Sequence, residues 1–305
     1  MQQKHLYDLI DMDSPQAVLE EVCIIEEIMF PNFPLARLRD AFEATADLYH
    51  GRYPGYRECT TKYHDYKHSY ETFLATARLA HGAALSGITL STNTVLLGLI
   101  AALLHDAGYI QESNDNVGTG GKHTIIHVKR SMDFVERNAS GFCIAQDDIR
   151  PCQIMIYCTD LAADFSSIVY PSQEIETISK IVATSDLLAQ MADRTHLEKL
   201  LYLYHEFREG MVSGYKSAED LLRKTLGFYD LVQERFTKKL DSVDRFMRQH
   251  FKSRWGIEED LYSIAIEHEK KYLCDLITKA DAEMLEHLRR KGIISATKNS
   301  SSMLQ

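Results

Sequence analysis

Residues Val95 to Leu104 form an unbroken apolar run that ends directly on His105-Asp106. The run is far shorter than the roughly 20 residues that cross a bilayer, so no membrane is implied. Delivering an imidazole and a carboxylate into such apolar surroundings costs several kcal/mol unless something there binds them. A metal ion is the natural partner.

Helical periodicity dominates the rest of the chain, and no alternating apolar-polar series bounded by hairpin turns is found. The expected fold is therefore all-α. Ser14-Pro15 reads as a cap and first-turn proline opening a helix to Met29, and Pro31 to Pro34 separates it from one at Leu35 to His50. Further helices are expected over Asp65 to Leu85, Thr92 to Asp106, Lys122 to Asn138 and Asp147 to Cys158. Later ones cover Glu174 to Gln190 and Asp193 to Met211. A capping box at Ser217 starts another that reaches His250. Gly256 followed by Glu258, Glu259 and Asp260 suits an acidic first turn leading to Ile277.

No repeat or low-complexity linker divides the chain. We expect a single domain over 51–290, its chemical core at about 63–190, with helical extensions at both ends. The N-terminal extension, 1–50, packs on that core, and the tail, 291–305, is disordered. The terminal helices would either cover their own domain or form a homodimer.

With 34 basic against 44 acidic residues, a net charge of -10 opposes binding to a nucleic-acid polymer. The six cysteines are scattered without a CxxC, which suggests neither a zinc ribbon nor a disulfide framework. No export signal is visible in MQQKHLYDLIDMD, and the expected location is the reducing cytoplasm.

Of 13 histidines, His64, His68, His105, His123 and His127 cluster in the first half of the chain. The spacing of His64 and His68, and of His123 and His127, puts each pair on one face of a helix. Asp186 interrupts an otherwise apolar helix in Ala183-Thr184-Ser185-Asp186-Leu187-Leu188, where it wants a cation. Such an aspartate can bridge two ions about 4 Å apart, with His123, His127 or water completing the second. Imidazole and carboxylate together suit one or two divalent ions, and they admit Mn, Mg, Fe, Zn or Ni.

His68, then His105-Asp106, then Asp186, in an all-α chain, resembles the HD superfamily of metal-dependent phosphohydrolases. Tyr63-His64-Asp65-Tyr66-Lys67-His68 is similar to the YHNxxH motif of class I cyclic-nucleotide phosphodiesterases. The resemblance implies His64 as general acid, and His68, His105, Asp106 and Asp186 as metal ligands. Cys158-Thr159-Asp160-Leu161 is similar to that family's ATDM segment, and Gln233 to Phe236 to its base-holding QxxF. The chain departs from the phosphodiesterases at Asp65, at Tyr109, and at Lys122 to His127, which replaces their Glu-Asn-His-His segment. His127 with Ser131 is closer to the wider superfamily, where a histidine there completes a second metal site. His123 would be a ligand or a phosphate contact.

The implied reaction is in-line hydrolysis of a small phosphate ester, with His64 protonating the departing alkoxide and a carboxylate such as Asp160 holding it charged. A cyclic nucleotide or another nucleotide phosphodiester is the first substrate expected. Two alternatives stay open: a nucleotidase-type phosphomonoesterase on the same metals, and a non-catalytic nucleotide-binding sensor.

Overall fold

The computed structural model describes residues 4–288 and Arg290, so the tail expected to be disordered lies outside the described residues. The protein is almost entirely helical. Among the described residues, twelve α-helices run in order: α1 Pro15–Met29, α2 Leu35–Tyr49, α3 Tyr66–Leu85, α4 Thr92–Leu104, α5 His127–Asn138, α6 Ile149–Tyr157, α7 Gln173–Ala192, α8 His196–Glu209, α9 Ala218–Lys238, α10 Phe246–Trp255, α11 Leu261–Leu276 and α12 Asp281–His287. The only β-type pairings among them are two isolated bridges, His50 with Glu58 and Tyr56 with Glu112. None of the helices is long and apolar enough to cross a membrane.

The centre of the fold is α4. Its residues from Thr94 to Leu104 are buried, as a helix apolar on every side must be. It packs against α3, α7, α6 and α2, while α3 and α7 also pack on each other. The N-terminal helices join this core, α1 against α3 and α2 against α4, with Val18, Val22, Ile25, Leu38 and Leu48 fully buried.

Side-chain caps set where half of the helices begin. Ser14, Asp65, Ser91, Ser172, Ser217 and Asp260 each accept a backbone N–H in the first turn of the helix that follows. Asp65 fixes the start of α3 by accepting the His68 N–H at 2.9 Å. Asn and Asp are comparable caps, so aspartate in the motif's asparagine position preserves this turn.

Two expected helices are broken and a third begins later than expected. The expected helix from Lys122 splits into a 3-10 turn, Gly120–His123, and α5, which begins only at His127. The one expected to reach His250 stops at Lys238. Asp241 and Ser242 then take left-handed backbone, and the chain restarts into α10 with Leu240, Val243 and Phe246 buried beneath it. Gly256 ends α10 in left-handed backbone instead of opening a helix, and Asp260 caps α11.

Candidate metal centre

Three mutually packed helices deliver the cluster. His68 sits in the first turn of α3, His105 is the residue closing α4 with Asp106 directly after it, and Asp186 projects from the middle of α7. His68 Nε2 lies 3.2 Å from His105 Nε2 and 3.0 Å from Asp186 Oδ1. Asp106 Oδ2 is 3.2 Å from His105 Nε2 and 3.6 Å from His68 Nε2, and Asp186 Oδ1 is 3.5 Å from His105 Nε2. His68, His105 and Asp106 are buried, with their ligand atoms within 4.8 Å of one another.

The ring orientations are fixed from behind. His105 Nδ1 donates to the Ala102 carbonyl at 2.8 Å, because a carbonyl can only accept, and its Nε2 is thereby aimed into the cluster. His127 is held in the same way, with Nδ1 on the Thr124 carbonyl at 2.6 Å. Its Nε2 stands 3.6 Å from Asp106 Oδ1. Asp106 therefore faces His68 and His105 with one oxygen and His127 with the other. In this geometry Asp106 is the aspartate that spans the cluster and His127.

Electrostatically the cluster needs positive charge. Burial opposes charging His105, but Asp106 and Asp186 outweigh it and raise the ring well above the usual histidine range. Burial would likewise raise both aspartates, yet the neighbouring imidazoles hold them far below the carboxylate range. Asp106 Oδ2 is buried with no well-formed hydrogen bond. Donors bound at about 2.0–2.2 Å to one ion stand about 3–3.5 Å apart, which is the spacing found here. The donor set fits a divalent metal ion, one that sits equally well with nitrogen and oxygen ligands.

Beside the cluster stands His64, whose Nδ1 is 2.6 Å from Glu206 Oε2. The other Glu206 oxygen accepts the backbone N–H groups of Lys62 and Tyr63 at 2.9 and 2.8 Å. One carboxylate from α8 thus holds both the histidine and the loop that carries it. Burial works against a charge on His64, but Asp106 and Glu206 together raise its pKa above the ordinary value. The Tyr109 ring is sandwiched between His64, at 4.2 Å, and His127, at 4.5 Å, so it orients both.

No protein-family model, curated protein or solved structure matches this chain.

Several expected site residues lie elsewhere. His123 falls in the 3-10 turn and points away, its Nε2 3.3 Å from Asp115 Oδ2, because the helix break before His127 destroys the shared face. His64 also precedes its helix rather than sharing a face with His68, yet their rings come within 6.2 Å. The carboxylate on His64 is Glu206 and not Asp160. Asp160 accepts the Ala162 N–H at 2.8 Å. Gln233 is exposed and Phe236 is packed in the core, so neither lines the cavity beside the cluster. Phe207 lines that cavity, and Met211 is 85% exposed.

The glycine-containing loop before α5 is pinned on several sides. Glu209 accepts from the Thr119 N–H and hydroxyl, Thr60 accepts from the Gly120 N–H, and Lys122 bonds Asp115. Gly108 is equally constrained. A Cβ there would stand 1.9 Å from the His127 carbonyl oxygen, and the Gly108 N–H donates to Ser131 at 2.9 Å. Gly108→Ala is expected to cost about 2–3 kcal/mol by forcing two backbones apart. A thermal melt checks this, and an unchanged midpoint would show that the close approach is absent.

Proposed function

We propose that this protein is a metal-dependent phosphohydrolase that cleaves a phosphodiester, with His68, His105, Asp106 and Asp186 holding the ion and His64 acting as general acid. His127, whose Nε2 lies 3.6 Å from Asp106 Oδ1, would be the residue to hold a second ion. The observation that carries the proposal is the meeting of His68, His105 and Asp106, with Asp186 3.0 Å from His68 and 3.5 Å from His105, beside a histidine held by Glu206. The resemblance to HD phosphohydrolases points the same way.

A divalent ion held there would activate water and neutralise charge on the phosphoryl oxygens. The remaining work falls to side chains. With Nδ1 committed to Glu206, His64 keeps Nε2 for the departing alkoxide, and Tyr109 holds the ring in plane. A poor alkoxide leaving group gains most from such an acid, which favours a diester over a monoester. The expectation of a cyclic nucleotide loses its base-holding pair, since Gln233 and Phe236 do not reach the cavity.

The test is hydrolysis of bis(p-nitrophenyl) phosphate, cyclic nucleotides and nucleoside monophosphates by protein reconstituted with manganese, iron or magnesium. Diester cleavage that stops on chelation is expected. Release of free phosphate from monoesters alone would make the protein a phosphomonoesterase, and nucleotide binding without turnover would make it a sensor.

A further inference from the structure

The cavity beside the cluster measures ≈ 480 Å³, a size that holds a small organic molecule. His64, Asp106, His127 and Asp186 line it, with Gln190 one helical turn beyond Asp186. Other walls come from α8 and α9, which contribute Leu200, Leu203, Phe207, Leu221, Phe228 and Leu231.

Polar recognition is scarce on these walls. The hydroxyls of Thr124, Thr159 and Thr225 all donate to carbonyls of their own segments, at 2.6, 2.8 and 2.9 Å. His196 contributes to the wall, but both its ring nitrogens are buried. The Phe207 and Tyr215 rings stack on each other at 5.3 Å. Among the described residues lining the cavity, Lys224 is the one lysine or arginine, and it already binds Asp220 at 2.7 Å and the Gly214 carbonyl at 2.6 Å. A second phosphate would find no free cation and would meet Asp160. A sugar or nucleobase would find the Gln190 amide for one polar edge and leave its others unmatched, which costs more than its ring gains.

The cavity also has an apolar lip. Ile125 is 69% exposed, Leu161 51% and Leu231 50%, and all three line the same space. Large apolar side chains shared by a pocket wall and the surface mark a contact surface.

We infer that the substrate of this centre carries a single phosphoryl group esterified to an apolar chain, which lies between α8 and α9 and passes over the Ile125, Leu161 and Leu231 lip. This rests on the hydrolase reading above.

The test uses the manganese-loaded full chain and p-nitrophenyl alkyl phosphates from methyl to dodecyl. In each, water adds to phosphorus, the bond to p-nitrophenolate breaks, and the alkyl phosphate is left. Calorimetric binding of the matching alkyl phosphates runs alongside. We expect kcat/KM and affinity to rise roughly threefold to fourfold per added methylene until the cavity is filled. Leu231→Asn and Ile125→Asn, at exposed positions, should cut the octyl-over-methyl advantage about fivefold or more. Hydrolysis with no dependence on chain length, or a preference for nucleoside esters over octyl, would overturn the inference while leaving the hydrolase intact. If no ester is hydrolysed, the hydrolase reading fails instead. The calorimetric series then decides the inference: rising affinity sustains it and flat affinity overturns it.

Discussion

Asp106→Ala is expected to abolish divalent-ion binding and to lower diester turnover by about a thousandfold or more. The size of the effect follows from its position. One carboxylate oxygen faces His68 and His105 at 3.6 and 3.2 Å, and the other faces His127 at 3.6 Å, so a single truncation opens both sides of the centre. Removing it also leaves the buried His68 and His105 nitrogens, 3.2 Å apart, with less negative charge to hold any cation between them. Ion binding should stabilise the parent by about 4 kcal/mol at a thousand times the dissociation constant, and the variant should show no such gain. Metal content after dialysis and melts with and without manganese check this. A variant that keeps its ion, or loses less than about tenfold in rate, would move the centre away from Asp106.

His64→Ala should behave in the opposite way with respect to metal. Its Nδ1 is committed to Glu206 rather than to the cluster, so metal content should stay intact while turnover of an alkyl diester falls about 100-fold or more. The same variant should lose little on a p-nitrophenyl ester, whose leaving group needs no proton. Equal losses on both would assign His64 a structural role. Glu206→Gln supplies the pH test. A general acid works only while protonated, so activity declines as pH rises through its pKa. Burial lowers the pKa of His64, while Asp106 and Glu206 raise it above the ordinary value. Removing the Glu206 charge should therefore shift the alkaline limb of the rate profile to lower pH. A shift to higher pH, or none, would contradict the pairing. Glu206 also accepts the Lys62 and Tyr63 N–H groups, which an amide oxygen can still do, so glutamine preserves the loop.

The parts of this centre that were legible in the sequence are those set by local chemistry. His105-Asp106 was visible because polar residues end an apolar run, and Asp186 because it interrupts one. His68 was placed by its four-residue spacing from His64 and by the motif resemblance, and Asp65 caps the helix that carries it. The all-α class followed from periodicity alone. Pairings that depend on tertiary packing stayed hidden. Glu206 comes from α8, far along the chain from His64. Its local signal was an acid one helical turn from Tyr202 and Leu203. His123 failed because helical spacing presumes an unbroken helix, and the break ahead of His127 turned its ring toward Asp115. Gln233 and Phe236 matched a motif, but the α9 face that meets the cavity carries Leu221, Phe228 and Leu231 instead. A two-residue match cannot fix the rotation of a helix.

Anomalous diffraction from manganese-soaked crystals tests the central claim most directly. The account predicts one strong peak bonded to His68 Nε2, His105 Nε2, Asp106 and Asp186 at about 2.0–2.3 Å. Well-occupied manganese found only elsewhere, or no peak among these four side chains at saturating metal, would contradict it.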